Sequence, residues 1–472
     1  MPWTTPSSGG RKGAITLDGR WPRPHSRKLV VGGTGAGARL TQVTASGEGG
    51  APSLSRGQIT AAVIGNALEF YDFTVYTVFA VDIGNAFFPH QTPFVKLMAA
   101  LLTFGVGFVT RPIGALVIGR IADRVGRRAA MLLSFALMGV GIIGLASTPG
   151  YASIGVAAPA LAVLFRMIQG FALGGELGPV MAFLIEASPP GKRGFIGSWQ
   201  SASQSIASLV GGLVGAAVIA GLGERLADLY GWRIAFWLGA LVLPFGLYIR
   251  RALPETLHHH ETPSSIHPDS AKLSAHALVL ILGVGVIACF TTSTYVRLYM
   301  TTYARTTLHM AASAANWAST VNGGAGVVFT LLGGWLSDRY GRKPAMIWPL
   351  AVYFLTIYPA FYFIVRNHDG PTLWIATGVL SALNSMSTGA ALIWLSESLR
   401  KEIRGTAVGA VYAITVASFG GMTQPLLAWL IETTHQPLAP AFYLMLMTVI
   451  GLSAMLAMTE TAPRQLAAKA AV

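Results

Sequence analysis

The chain has 472 residues, of which 53% are hydrophobic and only 11% charged, with a mean hydropathy of +0.56. Soluble domains carry about 25% charged residues, so this composition excludes an ordinary soluble protein and indicates a polytopic membrane protein. The formal charge of +14 invites a nucleic-acid reading. The cations instead fall in short loops between apolar stretches, and no basic face with interleaved aromatics accompanies them, so no nucleic-acid partner is expected.

Residues 1 to about 54 are rich in Gly, Ser, Pro, Arg and Lys and show neither apolar periodicity nor a signal-peptide core. A disordered basic cytoplasmic tail is expected over 1–54. Within it, Lys28–Gly37 resembles a strand entering a nucleotide-binding glycine loop, but the spacing fails and no βαβ unit follows. From Ile59 onward, apolar segments of about 20 residues recur, the length that crosses a bilayer. Twelve spans are expected, at about 59–84, 94–118, 129–148, 157–184, 196–220, 232–251, 275–302, 311–335, 345–365, 372–396, 405–431 and 438–458. The single cysteine, Cys289, lies inside one of them and excludes an intramolecular disulfide. Gly105, Gly107 and Gly114 in span 2 and Gly211, Gly212 and Gly215 in span 5 favour close helix contact in lipid.

Between spans 2 and 3 runs Gly119-Arg120-Ile121-Ala122-Asp123-Arg124-Val125-Gly126-Arg127-Arg128. Between spans 8 and 9 runs Gly334-Trp335-Leu336-Ser337-Asp338-Arg339-Tyr340-Gly341-Arg342-Lys343. The offset is constant, 334 − 119 = 215 and 338 − 123 = 215. Glu186 with Arg193-Gly194 and Glu397 with Arg404-Gly405 repeat at 397 − 186 = 211. Two landmarks keeping nearly one offset make the second half a copy of the first, a common plan among secondary transporters. The expected fold is therefore an all-α polytopic membrane protein with twelve transmembrane helices in two pseudo-symmetric six-helix bundles, over 55–253 and 275–460. A cytoplasmic linker over 254–274 joins them and a short tail over 461–472 follows. His258-His259-His260 in that linker admits a metal reading, but nothing in a polar, Pro-rich segment fixes ligand geometry, and no metal or cofactor is expected.

Loops on one side carry most of the cations, including Arg120, Arg127, Lys192, Arg250, Arg342 and Lys401. The opposite loops carry only Lys96, Arg225, Arg233, Arg305 and Arg366. Both termini are then cytoplasmic, as an even number of spans requires.

An ionisable group near mid-bilayer costs about 3 kcal/mol or more and needs a partner or a polar cavity. Span 1 carries Glu69 and Asp72, whose i, i+3 spacing puts both on one face at roughly mid-depth. Arg111 in span 2 and Arg166 and Glu176 in span 4 lie at depths that could meet them. A carboxylate beside an arginine stays charged, and one that loses its partner in a dry site takes up a proton. Glu69, Asp72, Arg166 and Glu176 are thus candidates for proton coupling; a permanent ion pair fixing helix packing is the alternative. Arg297 in span 7 lies among Thr291, Thr292, Ser293, Thr294, Tyr295 and Tyr299, where a guanidinium could bind carboxylates in bidentate fashion or could snorkel to the outer surface. Arg111, Arg297, Tyr295 and Tyr299, with Gln200, Gln204, Asn322 and Asn384, form the candidate substrate site. The four amides could equally serve as hydrogen-bonded links between helices. In the repeated loops, Asp123 and Asp338 are placed to accept from a neighbouring helix N-terminus, and Arg127 and Arg342 to pair with Glu186 and Glu397.

The doubled Gly-x-x-x-Asp-Arg-x-Gly-Arg-Arg/Lys loop resembles the signature of the major facilitator superfamily, with the resemblance covering about 57–460. Within it the chain is similar to the metabolite:proton symporter group. That similarity rests on Gly65-Asn66-Ala67-Leu68-Glu69-Phe70-Tyr71-Asp72-Phe73, Arg111-Pro112-Ile113-Gly114, Arg166-Met167-Ile168-Gln169-Gly170, Gly174-Gly175-Glu176 and Gly231-Trp232-Arg233-Ile234-Ala235-Phe236. Ser198-Trp199-Gln200-Ser201-Ala202-Ser203-Gln204 is most similar to citrate and tricarballylate proton symporters. The resemblance implies proton-coupled uptake of a carboxylated metabolite by alternating access. It also implies that Asp123, Arg124, Arg127 and Glu186, with Asp338, Arg339, Arg342 and Glu397, latch the cytoplasmic side. The expected partners are a small carboxylate, protons and the lipid bilayer, in a monomer of the plasma membrane (the inner membrane if bacterial). Enzymatic chemistry is not expected. No phosphate loop GxxxxGK[ST] is present, which argues against an ATP-driven pump, and Ser208 to Gly221 holds no proline, which disfavours drug efflux. The rivals are uptake of 2-oxoglutarate, shikimate or an osmolyte such as proline or betaine, and a non-transporting membrane sensor.

Overall fold

A computed structural model describes residues 56–174, 188–252, 277–463 and 465–466. The tail over 1–54, Glu176, Glu186, the linker over 254–274 and residues 467–472 lie outside the described residues, as do the side chains of Glu69, Asp123 and Arg127.

Among the described residues the regular structure is helical throughout, and it fills the expected spans in order. Span 1 is Arg56–Val78 followed by Ala80–Phe87, span 2 is Pro93–Val109 followed by Arg111–Val125, span 3 is Arg127–Ser147 and span 4 starts with Ala157–Leu173. Span 5 is Arg193–Leu222, span 6 Trp232–Ala252, span 7 Ala277–Thr306, span 8 Ala312–Tyr340 and span 9 Arg342–Asn367. Span 10 is Gly370–Thr388 with Ala391–Glu397, span 11 Lys401–Thr415 with Gly421–Thr434 across a π turn at Val416–Gly420, and span 12 Ala439–Ala457. Seven of the described helical stretches, three of them running across the breaks in spans 2, 10 and 11, are long and apolar enough to cross a membrane.

Each half builds most of one core, because in lipid a helix gains from packing against helices rather than from leaving water. Ala80, Leu97 and Leu101 join the second core, and Tyr295, Leu298 and Val416 the first. Phe87, Phe104, Phe108, Trp232 and Phe236 knit spans 1–6; Met346, Tyr353, Phe361, Trp394 and Leu444 knit spans 7–12. The duplication shows in the backbone as well. Gly126 and Gly341, equivalent residues of the two loops (341 − 126 = 215), have φ of 120° and 107°, and each is followed at once by a new helix. Side chains other than glycine rarely adopt that conformation.

Close approach, not length alone, positions the interior charges. Pro112 has no N–H to donate, so the helix of span 2 ends at Val109 and restarts at Arg111. Thr110 Oγ1 donates to Gly107 O at 3.0 Å in its own helix and to Met167 O at 2.8 Å in span 4. A Cβ on Gly170 would sit 1.6 Å from Gly107 O, so spans 2 and 4 touch backbone to backbone and bring Arg111 and Arg166 up to span 1. Spans 5 and 8 meet in the same way across the two halves: a Cβ on Gly323 would lie 2.1 Å from Leu209 N.

Candidate functional site

In the N-terminal half, Asp72 and Arg166 form an ion pair at 2.6 Å, and their side chains are 0% and 1% exposed. Arg166 Nη1 also donates to Gln169 Oε1, and Gln169 Nε2 donates to Asp72 Oδ1 at 3.3 Å. Aromatic faces complete the surroundings. The Arg166 guanidinium lies 4.3 Å from the Tyr76 ring and 5.0 Å from Phe73, and that of Arg111 lies 4.2 Å from Phe108 and 4.9 Å from Phe73. Phe73 therefore touches both guanidinium groups, and ring faces offer a cation a weak partner that no proton can neutralise. Nη2 of Arg166 and both Nε and Nη2 of Arg111 are buried with no hydrogen-bond partner among the described residues.

The C-terminal half treats its arginine differently. Arg297 is buried; Nε donates to Asn322 Oδ1 at 3.0 Å, Nη1 to Asn384 Oδ1 at 2.5 Å and Nη2 to Thr294 Oγ1 at 3.5 Å. Among the described residues no carboxylate pairs with it, and the Nδ2 of Asn384 is itself unpartnered. This placement inside the helix set, between spans 8 and 10, is not that of a snorkelling side chain.

Between the halves lies a cavity of about 70 Å³, walled by Phe73 and Thr74 of span 1, Gln204 of span 5, Thr294 and Tyr295 of span 7, Thr388 of span 10 and Tyr412 of span 11. Arg297 stands directly behind Thr294, and Asn384 behind Thr388, whose hydroxyl donates to its Oδ1 at 3.4 Å. Gln200 is buried one turn from Gln204, with Nε2 unpartnered among the described residues. Tyr299 is not at the cavity; its ring packs 6.5 Å from that of Tyr303 in the C-terminal core.

The halves are tied at both ends. At the end bearing the repeated loops, Asp338 accepts from Gly194 N at 2.7 Å and Phe195 N at 2.8 Å, the first N–H groups of span 5. Those groups have no partner within their own helix, and the helix dipole favours an anion there. Arg342, fully buried, holds Asp338 at 2.8 Å and forks onto both Glu397 oxygens at 3.0 Å. Glu460 closes the cluster by accepting from Arg342 N at 2.8 Å and Lys343 N at 2.9 Å. Arg339 lies 5.6 Å from the rings of Trp335 and Tyr340 and, among the described residues, forms no ion pair within this cluster. Arg124 is exposed, and the residues expected beside it, Asp123, Arg127 and Glu186, lie outside the described side chains. At the opposite end Arg305 forks onto Asp82 at 2.7 and 2.8 Å and reaches Asp228 at 3.3 Å.

Several of these residues carry no strong sequence signal. Gln169 is embedded in the Arg166–Gly170 motif without standing out, and Arg305 reads as a loop charge. Glu460-Thr461 repeats only the pair Glu255-Thr256 of the linker, at 460 − 255 = 205 rather than 215 or 211, so Glu460 carries little signal either.

Helices stacked about a central cavity between two like halves define a multi-pass membrane protein of the transporter class. The sequence relationships agree: residues 58–264 match the family described as Sugar (and other) transporter, and 281–471 match the Major Facilitator Superfamily. The chain is 33% identical over 411 residues to the citrate-proton symporter of Salmonella typhi, covering 85% of this chain and 94% of that protein. It is 34% identical over 437 residues to the proline/betaine transporter of Salmonella typhimurium, covering 87% and 85%. The crystal structure of a D-xylose-proton symporter shares the fold, with a TM-score of 0.67 over 86% of this chain and 98% of that one at 19% identity. The chain belongs to the major facilitator superfamily, and its relatives and fold are those of transporters.

Proposed function

We propose that the protein is a secondary active transporter that takes up a carboxylated metabolite, citrate or a related tricarboxylate, together with protons, by rocking its two halves about the central cavity. The observation that carries this reading is Arg297: a buried guanidinium held by two amide oxygens and a hydroxyl, with no acid beside it among the described residues. A buried cation without a counter-ion is costly, and a solute carboxylate is the charge it lacks. Gln200, Gln204, Asn322, Asn384 and Tyr295 would orient the remaining carboxyl and hydroxyl groups, and Arg111 would supply a second cation from the other half. Asp72 paired with Arg166 suits proton coupling, because the pair is dry and its charge state decides whether Arg166 needs another anion.

Alternating access also needs latches that part in turn. Asp338, Arg342 and Glu397 would hold the end bearing the repeated loops, which we assign to the cytoplasm with both termini on the same side. Arg305 with Asp82 would hold the other end.

A second reading, uptake of a zwitterionic osmolyte, draws on the 34% identity to the proline/betaine transporter. Labelled citrate, tricarballylate, 2-oxoglutarate and betaine, offered to proteoliposomes with and without an imposed pH gradient, separate the two. Gradient-driven accumulation of a carboxylate, abolished by Asp72→Asn and Arg111→Ala, supports the first; accumulation of betaine alone would refute it.

A further inference from the structure

We infer that Gln169 is a positioning residue that converts the protonation of Asp72 into the release of Arg166. The inference rests on the proton-symport reading. Gln169 follows Arg166 by three residues and so shares its helix face. It is 0% exposed and is the second hydrogen-bond partner of Asp72, after Arg166. The three side chains close a ring: Arg166 Nη1 donates to Asp72 Oδ2 at 2.6 Å and to Gln169 Oε1, and Gln169 Nε2 donates to Asp72 Oδ1 at 3.3 Å. Room for the amide comes from Gly141 in span 3, where a Cβ would lie 2.4 Å from Gln169 Cγ.

Among the described residues, Tyr71, Tyr76, Arg111 and Tyr295 also face this ring, and the two tyrosines of span 1 are held in place. Tyr71 and Tyr76, beside Asp72 on its own helix, donate their hydroxyls to Ala235 O and Ala100 O, each at 2.9 Å. Arg111 from span 2 and Tyr295 from span 7 approach from the cavity side, where Tyr295 interacts with Arg111. An ionised Asp72 only accepts hydrogen bonds, and an amide both donates and accepts.

A proton arriving from the water outside forms an O–H bond at Asp72 Oδ1 and turns that oxygen into a donor aimed at another donor, Gln169 Nε2. Half a turn of the amide about its last torsion relieves the clash by presenting Oε1 to the new O–H. The same turn takes the acceptor away from Arg166 Nη1 at the moment the carboxylate loses its charge. Arg166, whose Nη2 is already unpartnered, is left without an anion and becomes a site for the solute carboxylate. Loss of the proton reverses each step. The amide thereby makes binding of proton and anion cooperative.

The test uses the full chain in proteoliposomes with a trapped pH dye, and two variants. Gln169→Leu removes both hydrogen bonds. Gln169→Glu keeps the shape and the acceptor for Arg166 but replaces the N–H with a second ionisable carboxyl beside Asp72. For whichever of citrate, tricarballylate or 2-oxoglutarate the parent accumulates, we expect both variants to keep counterflow at equal pH within about threefold. In Gln169→Leu, protons taken up per solute should fall about tenfold. Infrared difference titration of the Asp72 carboxyl band, which needs no solute, should show its midpoint displaced by about one pH unit in Gln169→Leu. Parent-like proton uptake and midpoint in both variants would overturn the relay, and so would equal loss of counterflow and accumulation, which marks a packing residue. A parent that concentrates solute with no proton uptake would instead refute the symport reading, leaving the infrared midpoint to judge Gln169 by itself.

Discussion

The two halves share a scaffold but not a charge plan. In the first, the buried arginine of span 4 is neutralised by Asp72 of span 1; in the second, the buried arginine of span 7 is cradled by Asn322 and Asn384 and meets no acid among the described residues. The internal offsets make the contrast concrete. Adding 215 to 72 gives 287 and adding 211 to 166 gives 377, positions held by Ile287 and Thr377. Duplication supplied the helices, and substitution then gave one half a titratable pair beside the buried Arg111, and the other a buried cation with no titratable acid paired to it among the described residues. A symporter needs that division, because a site that answers to protons must change charge while a site that selects an anion must not.

If this is right, removing the acid and removing the lone base should have opposite effects on stability. Asp72→Asn strands Arg166 in a dry site, so gradient-driven accumulation should be lost and unfolding in detergent should come easier by about 3–5 kcal/mol. Arg297→Gln removes an uncompensated charge, so a thermal unfolding scan should show stability kept or raised. Solute binding should nevertheless weaken about 100-fold, the loss of a bidentate charged contact worth about 3 kcal/mol. Destabilisation by both substitutions would erase the distinction drawn between the halves.

Two smaller effects sharpen it. Gly170→Ala forces a Cβ into Gly107 O, prising span 2 from span 4 and costing about 1–3 kcal/mol, with Arg111 and Arg166 displaced; the same melting assay with solute titration reads both. Asp338→Asn keeps the shape but takes the anion from the N-terminus of span 5, costing about 1 kcal/mol. A single cysteine reporter at that end should then react faster with a thiol reagent.

Much of the scaffold could be read from the amino acids, because span length and cation placement are set by the bilayer and a 215-residue repeat is visible without coordinates. The pairing of Asp72 with Arg166 was within reach for a related reason: a charge in lipid must find a partner, and few were on offer. Gln169 was not, since a glutamine in a helix is as often a link between helices as a working group, and only its distances to both members of the pair distinguish it. Glu69 and Asp72 share a helix face, so sequence alone did not rank them. Arg305 and Asp82 are 223 residues apart and joined by no repeat, so their contact depends on how the halves close. Tyr299 shows the converse. It shares span 7 with Tyr295, yet four residues along the helix carry it from the cavity wall into the core.

The central claim is that solute entry draws protons inward through Asp72. Adding citrate to proteoliposomes that hold a trapped pH dye, with no gradient imposed, should acidify the lumen for the parent and leave it unchanged for Asp72→Asn. Citrate accumulation without acidification, or equal acidification by the variant, would contradict it.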